Sequence, residues 1–276
     1  MLAFINGKII PEEQGTISIF DRSFCLGDGL FETVPVYNGK PFLWAKHFDR
    51  LQAGAEFLQI KIPTAPDAIA AFVEQLLREN QMHKGMLRVQ LSRGVGTRGY
   101  SAKGADSPTL VMTTHAATQC PSEVKIVTSS IRIPANDLLS KYKTCSKLSH
   151  VIARMESDSK GADEALLLNS DGNVAEATSS NFFWMDNDTV HTTPLESGAL
   201  PGVTRAFVLE LCRELKIATL EQNMSPNRLP KVDAMFLTSS GSGIREVIQL
   251  DEQKISRAPI AQKLREAYLK YAESSE

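Results

Sequence analysis

The sequence predicts an α/β fold in two domains, and three observations predict it. Stretches that alternate apolar and polar residues, as strands do, interleave along the whole chain with stretches that repeat apolar residues at the three-and-four spacing of helices. The 276 residues exceed one ordinary domain and suit two. A small, polar, proline-containing run, Ala116 to Ser122, interrupts the pattern. A boundary there gives an α+β N-terminal domain over residues 1–117, a linker over 118–122 and a mixed α/β C-terminal domain over 123–276.

The first domain opens with Ala3-Phe4-Ile5 and Lys8-Ile9-Ile10 around Asn6-Gly7, the strongest short hairpin signal. Phe24 to Tyr37 reads as one strand punctuated by Gly27 and Gly29. With no helix directly after those glycines and no lysine closing the motif, a phosphate loop there is a weak reading. From His47, Phe48, Leu51, Ala55 and Leu58 mark a helix with Arg50 off the apolar stripe. A second helix covers about Pro66 to Asn80, a strand Met86 to Ser92, and another strand Thr109 to Thr114. Between those strands lies Arg93-Gly94-Val95-Gly96-Thr97-Arg98-Gly99-Tyr100. Its glycines allow close backbone approach to a ligand and its guanidiniums match carboxylates, although a solvated hairpin tip has the same composition.

The second domain begins with a strand, Val124 to Ser129, and reaches Lys141-Tyr142-Lys143-Thr144-Cys145-Ser146-Lys147. This is an extended segment running into a helix whose apolar face is Leu148, Val151, Ile152 and Met155, with Lys147 one turn in. A lysine partly desolvated at such a junction becomes a nucleophilic amine, as Schiff-base chemistry requires. Lys141 and Lys143 both qualify, and a solvated surface lysine is the ordinary alternative. Cys145 lies two residues from Lys143, but buried inert thiols are the common kind.

Glu164 to Leu168 and Val174 to Thr178 form a hairpin around Ser170-Asp171-Gly172-Asn173. Glu176 interrupts a small apolar strand, where a carboxylate is costly without a partner, so it is a candidate site residue. Leu200-Pro201-Gly202-Val203-Thr204-Arg205 opens a helix with backbone N–H groups and a hydroxyl at its start, which suits a phosphate as well as a plain N-cap. Ala234 to Leu237 is a buried strand leading into Thr238-Ser239-Ser240-Gly241-Ser242-Gly243, a second possible anion nest. A strand from Glu246 to Leu250 and a helix from about Pro259 to Tyr271 finish the chain.

Composition narrows the function classes. At 42% apolar, 22% charged and a net charge of −2, the chain carries no basic excess to suggest a nucleic-acid partner. Four scattered cysteines without metal spacing suit a reducing compartment and imply no metal site. The N-terminus lacks a leader pattern and no apolar run approaches the roughly 18 residues of a membrane span, so a cytoplasmic enzyme free of the membrane is expected.

A lysine, a later buried carboxylate, two phosphate-friendly loops and an early arginine are the parts that pyridoxal 5'-phosphate needs. Gly27 to Thr33, His47 to Leu51, Lys143 with its helix, Gly161 to Leu166, Glu176 to Asn181, Leu200 to Arg205 and Thr238 to Ser240 occur in that order. Over nearly the whole chain they resemble the fold-type IV pyridoxal-phosphate enzymes: branched-chain and D-amino-acid aminotransferases and aminodeoxychorismate lyases. The resemblance implies the D-amino-acid aminotransferase-like fold, with the cofactor between two α/β domains of a homodimer and sites near the interface. It selects Lys143 over Lys141 as the Schiff-base lysine and proton shuttle, and sets Glu176 on the pyridine nitrogen. Arg50, the Val203 backbone, Thr204, Ser239 and Ser240 would hold the phosphate, and Leu200 would pack on the ring.

Among family members, branched-chain enzymes usually carry Gly-Gly-Asn-Tyr after the lysine, where this chain has Thr144-Cys145-Ser146-Lys147-Leu148. D-amino-acid enzymes trap the substrate carboxylate with Tyr, Arg and His, where this chain has Phe31, Arg98 and Tyr100. The Ser-Arg-Gly-x-Gly-x-Arg-Gly-Tyr run of aminodeoxychorismate lyases is matched in full by Ser92 to Tyr100. The resemblance therefore implies a 4-amino-4-deoxychorismate lyase giving 4-aminobenzoate and pyruvate from a small-molecule amino substrate. Arg98 and Arg93 would bind carboxylates, and Thr33 or Lys143 would return a proton. The alternative is an aminotransferase of D-amino acids or, after them, branched-chain amino acids.

Overall fold

A computed structural model describes residues 1–117 and 120–274. Residues 118 and 119 of the expected linker lie outside the described residues. The chain forms two compact units: Met1–Thr118 with Tyr142–Lys147 and Ala272–Glu276, and Gln119–Lys141 with Leu148–Tyr271. Strands and helices mix in both, as the interleaved patterns predict.

In the first unit the strands are β1 (Leu2–Ile5), β2 (Lys8–Pro11), β3 (Gly29–Tyr37), β4 (Lys40–Pro41), β5 (Gly85–Ser92) and β6 (Thr109–Ala116). They form one antiparallel sheet in the order β2-β1-β6-β5-β3-β4. Helices α2 (Trp44–Phe57) and α3 (Pro66–Glu79) pack on it. Strand alternation sends Leu30, Val34, Leu87, Val89, Leu110 and Met112 to the helix side, where they meet Leu51, Ile69, Leu76 and Leu77 in one core.

The single strand expected over Phe24 to Tyr37 is instead a short helix, α1 (Arg22–Leu26), followed by β3. Capping decides this. Asp21 accepts the Ser23 N–H at its start, and Gly27 closes its end in the left-handed region at φ 71°, donating its N–H to Ser23 O at 3.0 Å.

In the second unit the strands are β7 (Glu123–Ile133), β8 (Glu164–Asn169), β9 (Val174–Ala177), β10 (Asn181–Asp186), β11 (Thr189–Thr192), β12 (Thr219–Glu221), β13 (Ala234–Ser239), β14 (Gly243–Leu250) and β15 (Gln253–Lys254). The helices are α4 (Leu148–Ser159), α5 (Val203–Glu214) and α6 (Pro259–Ser274). The strands form a mixed sheet in the order β12-β11-β10-β13-β14-β7-β8-β9, with β15 paired to β14. The β11–β12, β14–β7 and β7–β8 pairs are parallel. Being covered on both faces, β8, β9, β10 and β13 are buried along nearly every residue.

Helix α4 departs from expectation. It begins at Leu148, so Lys147 precedes it, and it packs on β7 and β8 through the small residues Ala153 and Ser157. The predicted core stripe faces outward instead: Leu148 is 71% exposed and Met155 64%, with Val151 and Ile152 also exposed. Periodicity identified the helix but could not say which face the sheet would take, because small residues allow the closer approach.

Candidate active site

Lys143 sits in a segment laid against the start of β3. Phe31 N–H donates to Lys143 O at 2.9 Å, Cys145 N–H donates to Gly29 O at 2.9 Å, and Leu30 bridges Thr144 in antiparallel register. That register puts Lys143 opposite Phe31, on the same face. Its Nζ lies 4.5 Å from the Phe31 ring centroid, and the Arg88 guanidinium from β5 lies 3.7 Å from it. Thr33, two residues along β3, shares that half-buried face and pairs with Arg88. Lys141, by contrast, is exposed at the end of a 3-10 turn over residues 138–141.

On the opposite face of β3, Glu32 is buried and takes the charge of α2. Arg50 donates Nε to Oε1 and Nη2 to Oε2, each at 2.8 Å, and His47 Nδ1 lies 2.7 Å from Oε2. Burial pushes the Glu32 carboxyl up, but the Arg50 charge and the bonds from Arg50 and His47 outweigh it and hold it at about 2. Burial also holds the His47 imidazole below its ordinary value, with help from Arg50 and Lys143, against the pull of Glu32. The Lys143 charge therefore reaches the His47 imidazole. Sequence reasoning gave Glu32 and His47 no role. Glu32, like Glu176, is a carboxylate in an apolar strand, where burial is costly without a partner.

The Arg93 guanidinium is held within its own unit. Its Nε and Nη2 donate to Asp28, and its Nη2 and Nη1 donate to the carbonyls of Leu58 and Gln59. Asp28 also takes Arg22 Nε at 2.8 Å, and Arg22 donates at 3.1 Å to each of the carbonyls of Gly99, Tyr100 and Ser101. Burial works to raise the Asp28 pKa, but the bonds and charges of Arg93 and Arg22 win and keep it below the ordinary carboxylate value. The backbone after Arg98 is thus held from behind while the side chains of Arg98 and Tyr100 are exposed, Tyr100 to 90%. Cys145 lies in this unit too. Burial pushes its thiol up and a Ser23 hydrogen bond and Arg88 offset that only in part, so it stays a neutral thiol.

In the second unit, β9 presents Glu176 as a buried carboxylate with two nitrogen partners. His150 Nε2, from the first turn of α4, lies 3.2 Å from Oε1, and Leu200 N–H donates to Oε2 at 2.9 Å. Asn181 Nδ2 donates to Leu200 O at 2.8 Å, so the Leu200 backbone is fixed from both sides. Two residues on, Gly202 is the N-cap of α5. A Cβ there would stand 2.0 Å from Asn181 Oδ1, which leaves glycine as the residue that fits.

The first turn of α5 has no side-chain cap and no acidic residue, so its N–H groups, from Val203 and Thr204 onward, keep their affinity for an anion. Thr204 Oγ1 lies 3.5 Å from Ser240 Oγ, and Ser239 Oγ lies 2.8 Å from Ser242 Oγ. Buried Thr238 Oγ1 and Ser180 Oγ have no hydrogen-bond partner among the described residues. A helix start, a cluster of hydroxyls and a cradle that requires glycine supply donors of the kind that a phosphate accepts. His150 and Asn181 were missed by sequence reasoning. Their roles depend on which strand and loop α4 and β10 meet, and no local pattern encodes that.

The family model described as amino-transferase class IV matches residues 29–250. A Methanocaldococcus jannaschii protein named "Putative branched-chain-amino-acid aminotransferase" is 30% identical over 97% of this chain and 95% of its own length. The aminodeoxychorismate lyase of Bacillus subtilis is 29% identical over 91% of this chain and 87% of its own. Among solved structures, the T.th. branched-chain amino acid aminotransferase with pyridoxamine 5'-phosphate superposes with a TM-score of 0.93 at 25% identity, covering 100% of this chain and 95% of that one.

Proposed function

This chain belongs to the amino-transferase class IV family of pyridoxal-phosphate-dependent enzymes, and we propose that its reaction is that of a 4-amino-4-deoxychorismate lyase. The donor set fits the cofactor: Val203, Thr204, Ser239 and Ser240 offer N–H and hydroxyl donors to the phosphate. Arg50, oriented by Glu32, adds its charge. Glu176 would face the pyridine nitrogen, Leu200 would pack on the ring, and Lys143 would supply the amine that holds the cofactor. When bound, the cofactor supplies an electron sink that stabilises negative charge next to the substrate amine.

Lys143 Nζ takes the ring proton beside the amine and is the local base. The enolpyruvyl group leaves as its C–O bond breaks. A proton from Lys143 or the Thr33 hydroxyl completes pyruvate, and the ring becomes aromatic 4-aminobenzoate. Phe31 and Tyr100 flank the substrate, and Arg98 binds a carboxylate. Arg93 is left out of that role because Asp28 and two carbonyls already hold it.

The observation that carries this reading is the loop from Ser92 to Tyr100. It has the lyase pattern, its backbone is clamped by Arg22, and Arg98 stands outward without a side-chain partner among the described residues. A 4-aminobenzoate product would belong to the folate route, and a cytoplasmic location is part of the same proposal. The exposed apolar face of α4 supports a homodimer. A second reading, an aminotransferase, is favoured by the similarity to the Methanocaldococcus jannaschii protein. Purified enzyme given aminodeoxychorismate should release 4-aminobenzoate and pyruvate, and should not move the amino group of D-alanine or leucine to 2-oxoglutarate. Amino transfer without lyase activity would reverse the order of the two readings.

A further inference from the structure

We infer that His150 is a positioning residue that holds the Glu176 carboxylate in one orientation, aimed at the ring nitrogen it would face; this rests on the reading of Glu176 given above. The two imidazole nitrogens stand in different surroundings. Nε2 is 3.2 Å from Glu176 Oε1, whereas Nδ1 is buried and has no hydrogen-bond partner among the described residues. A proton on Nδ1 would leave a buried donor unsatisfied, so the stable form carries it on Nε2 and donates it to the carboxylate. With Leu200 N–H on Oε2, each Glu176 oxygen accepts one protein N–H.

A carboxylate gripped by one donor on each oxygen keeps its remaining lone pairs aimed at one point. A carboxylate so aimed would accept the hydrogen bond of a protonated pyridine nitrogen, which serves the electron sink. Removing one of the two donors lets the Glu176 carboxylate turn away from that nitrogen. The same two donors, anchored on α4 and on the Leu200 backbone, also fix the plane of the carboxylate.

The test uses holoenzyme loaded with pyridoxal 5'-phosphate whose ring nitrogen is isotopically labelled, with the nitrogen chemical shift recorded at neutral pH in wild type, His150→Leu, His150→Gln and Glu176→Gln. His150→Leu removes the donor at similar bulk, and should move the signal toward neutral pyridine and speed cofactor release about tenfold, the effect of one hydrogen bond to a charged group. His150→Gln keeps a side-chain N–H and should hold the wild-type shift. An unmoved signal in His150→Leu, or a His150→Gln signal displaced as far as that of His150→Leu, overturns the inference while a displaced Glu176→Gln signal leaves the reading of Glu176 standing. An unmoved Glu176→Gln signal overturns both. If His150→Leu does not fold, His150→Asn, too short to reach Glu176, takes its place.

Discussion

Arg50 grips Glu32 through two parallel bonds of 2.8 Å while His47 closes on the same carboxylate at 2.7 Å, so a helix and a strand are tied by a buried charge cluster near Lys143. Glu32→Gln leaves Arg50 without its counter-charge. The expected loss is roughly 3–5 kcal/mol, typical of breaking a buried pair, read by denaturant unfolding.

The same cluster sets an acid limit. Glu32 is held at about 2, below its ordinary 4.5, so its contribution to stability is full above 4.5 and fades as pH falls toward 2. His47 is also lowered from 6.5, so the stability tied to its neutral form is full above 6.5 and lost as pH falls through its folded value. Unfolding free energy should decline in both windows. In Glu32→Gln the lower decline should shrink, and an unchanged curve would refute the assignment.

Arg93 and Arg98 should separate cleanly. Arg98→Leu, at an exposed position, should raise KM by on the order of tenfold or more with the melting temperature unchanged, as expected for a lost charge-assisted bond. Arg93→Met should instead lower stability by about 2–4 kcal/mol, since it strips partners from Asp28 and two carbonyls. An Arg98→Leu enzyme with wild-type KM would remove Arg98 from the substrate site.

Gly202→Ala puts a Cβ 2.0 Å from Asn181 Oδ1 and must displace either Asn181 or the start of α5. Cofactor retention, followed by visible absorbance during dialysis, should fall by more than about tenfold. Full retention would show that the α5 N-terminus does not hold the phosphate.

Met155→Glu places a charge in the outward apolar face of α4 without touching its packing on the sheet. Gel filtration should show a smaller species with an unchanged circular dichroism spectrum. A wild-type elution volume would exclude α4 from the subunit contact.

Borohydride reduction of the loaded enzyme should fix the cofactor to Lys143, as peptide mass mapping can read. Lys143→Ala should yield no adduct, whereas label found on Lys141 would overturn the choice between the two.

By itself the sequence determined the mixed α/β pattern, the β1–β2 hairpin around Asn6-Gly7, helices α2, α3 and α5, and the cost of burying Glu176, because alternation, helical period and turn chemistry act between near neighbours. The capped helix α1 was hidden in an apolar run, since five residues are too few to show a period. Only the tertiary structure decided the partners. Lys143 meets Phe31 because a distant segment pairs with β3, Arg93 is consumed by Asp28, His150 reaches Glu176, and α4 turns its small residues inward and its large ones out. Coulomb energy and close packing depend on distance in space, and chain order constrains that distance only within a few residues.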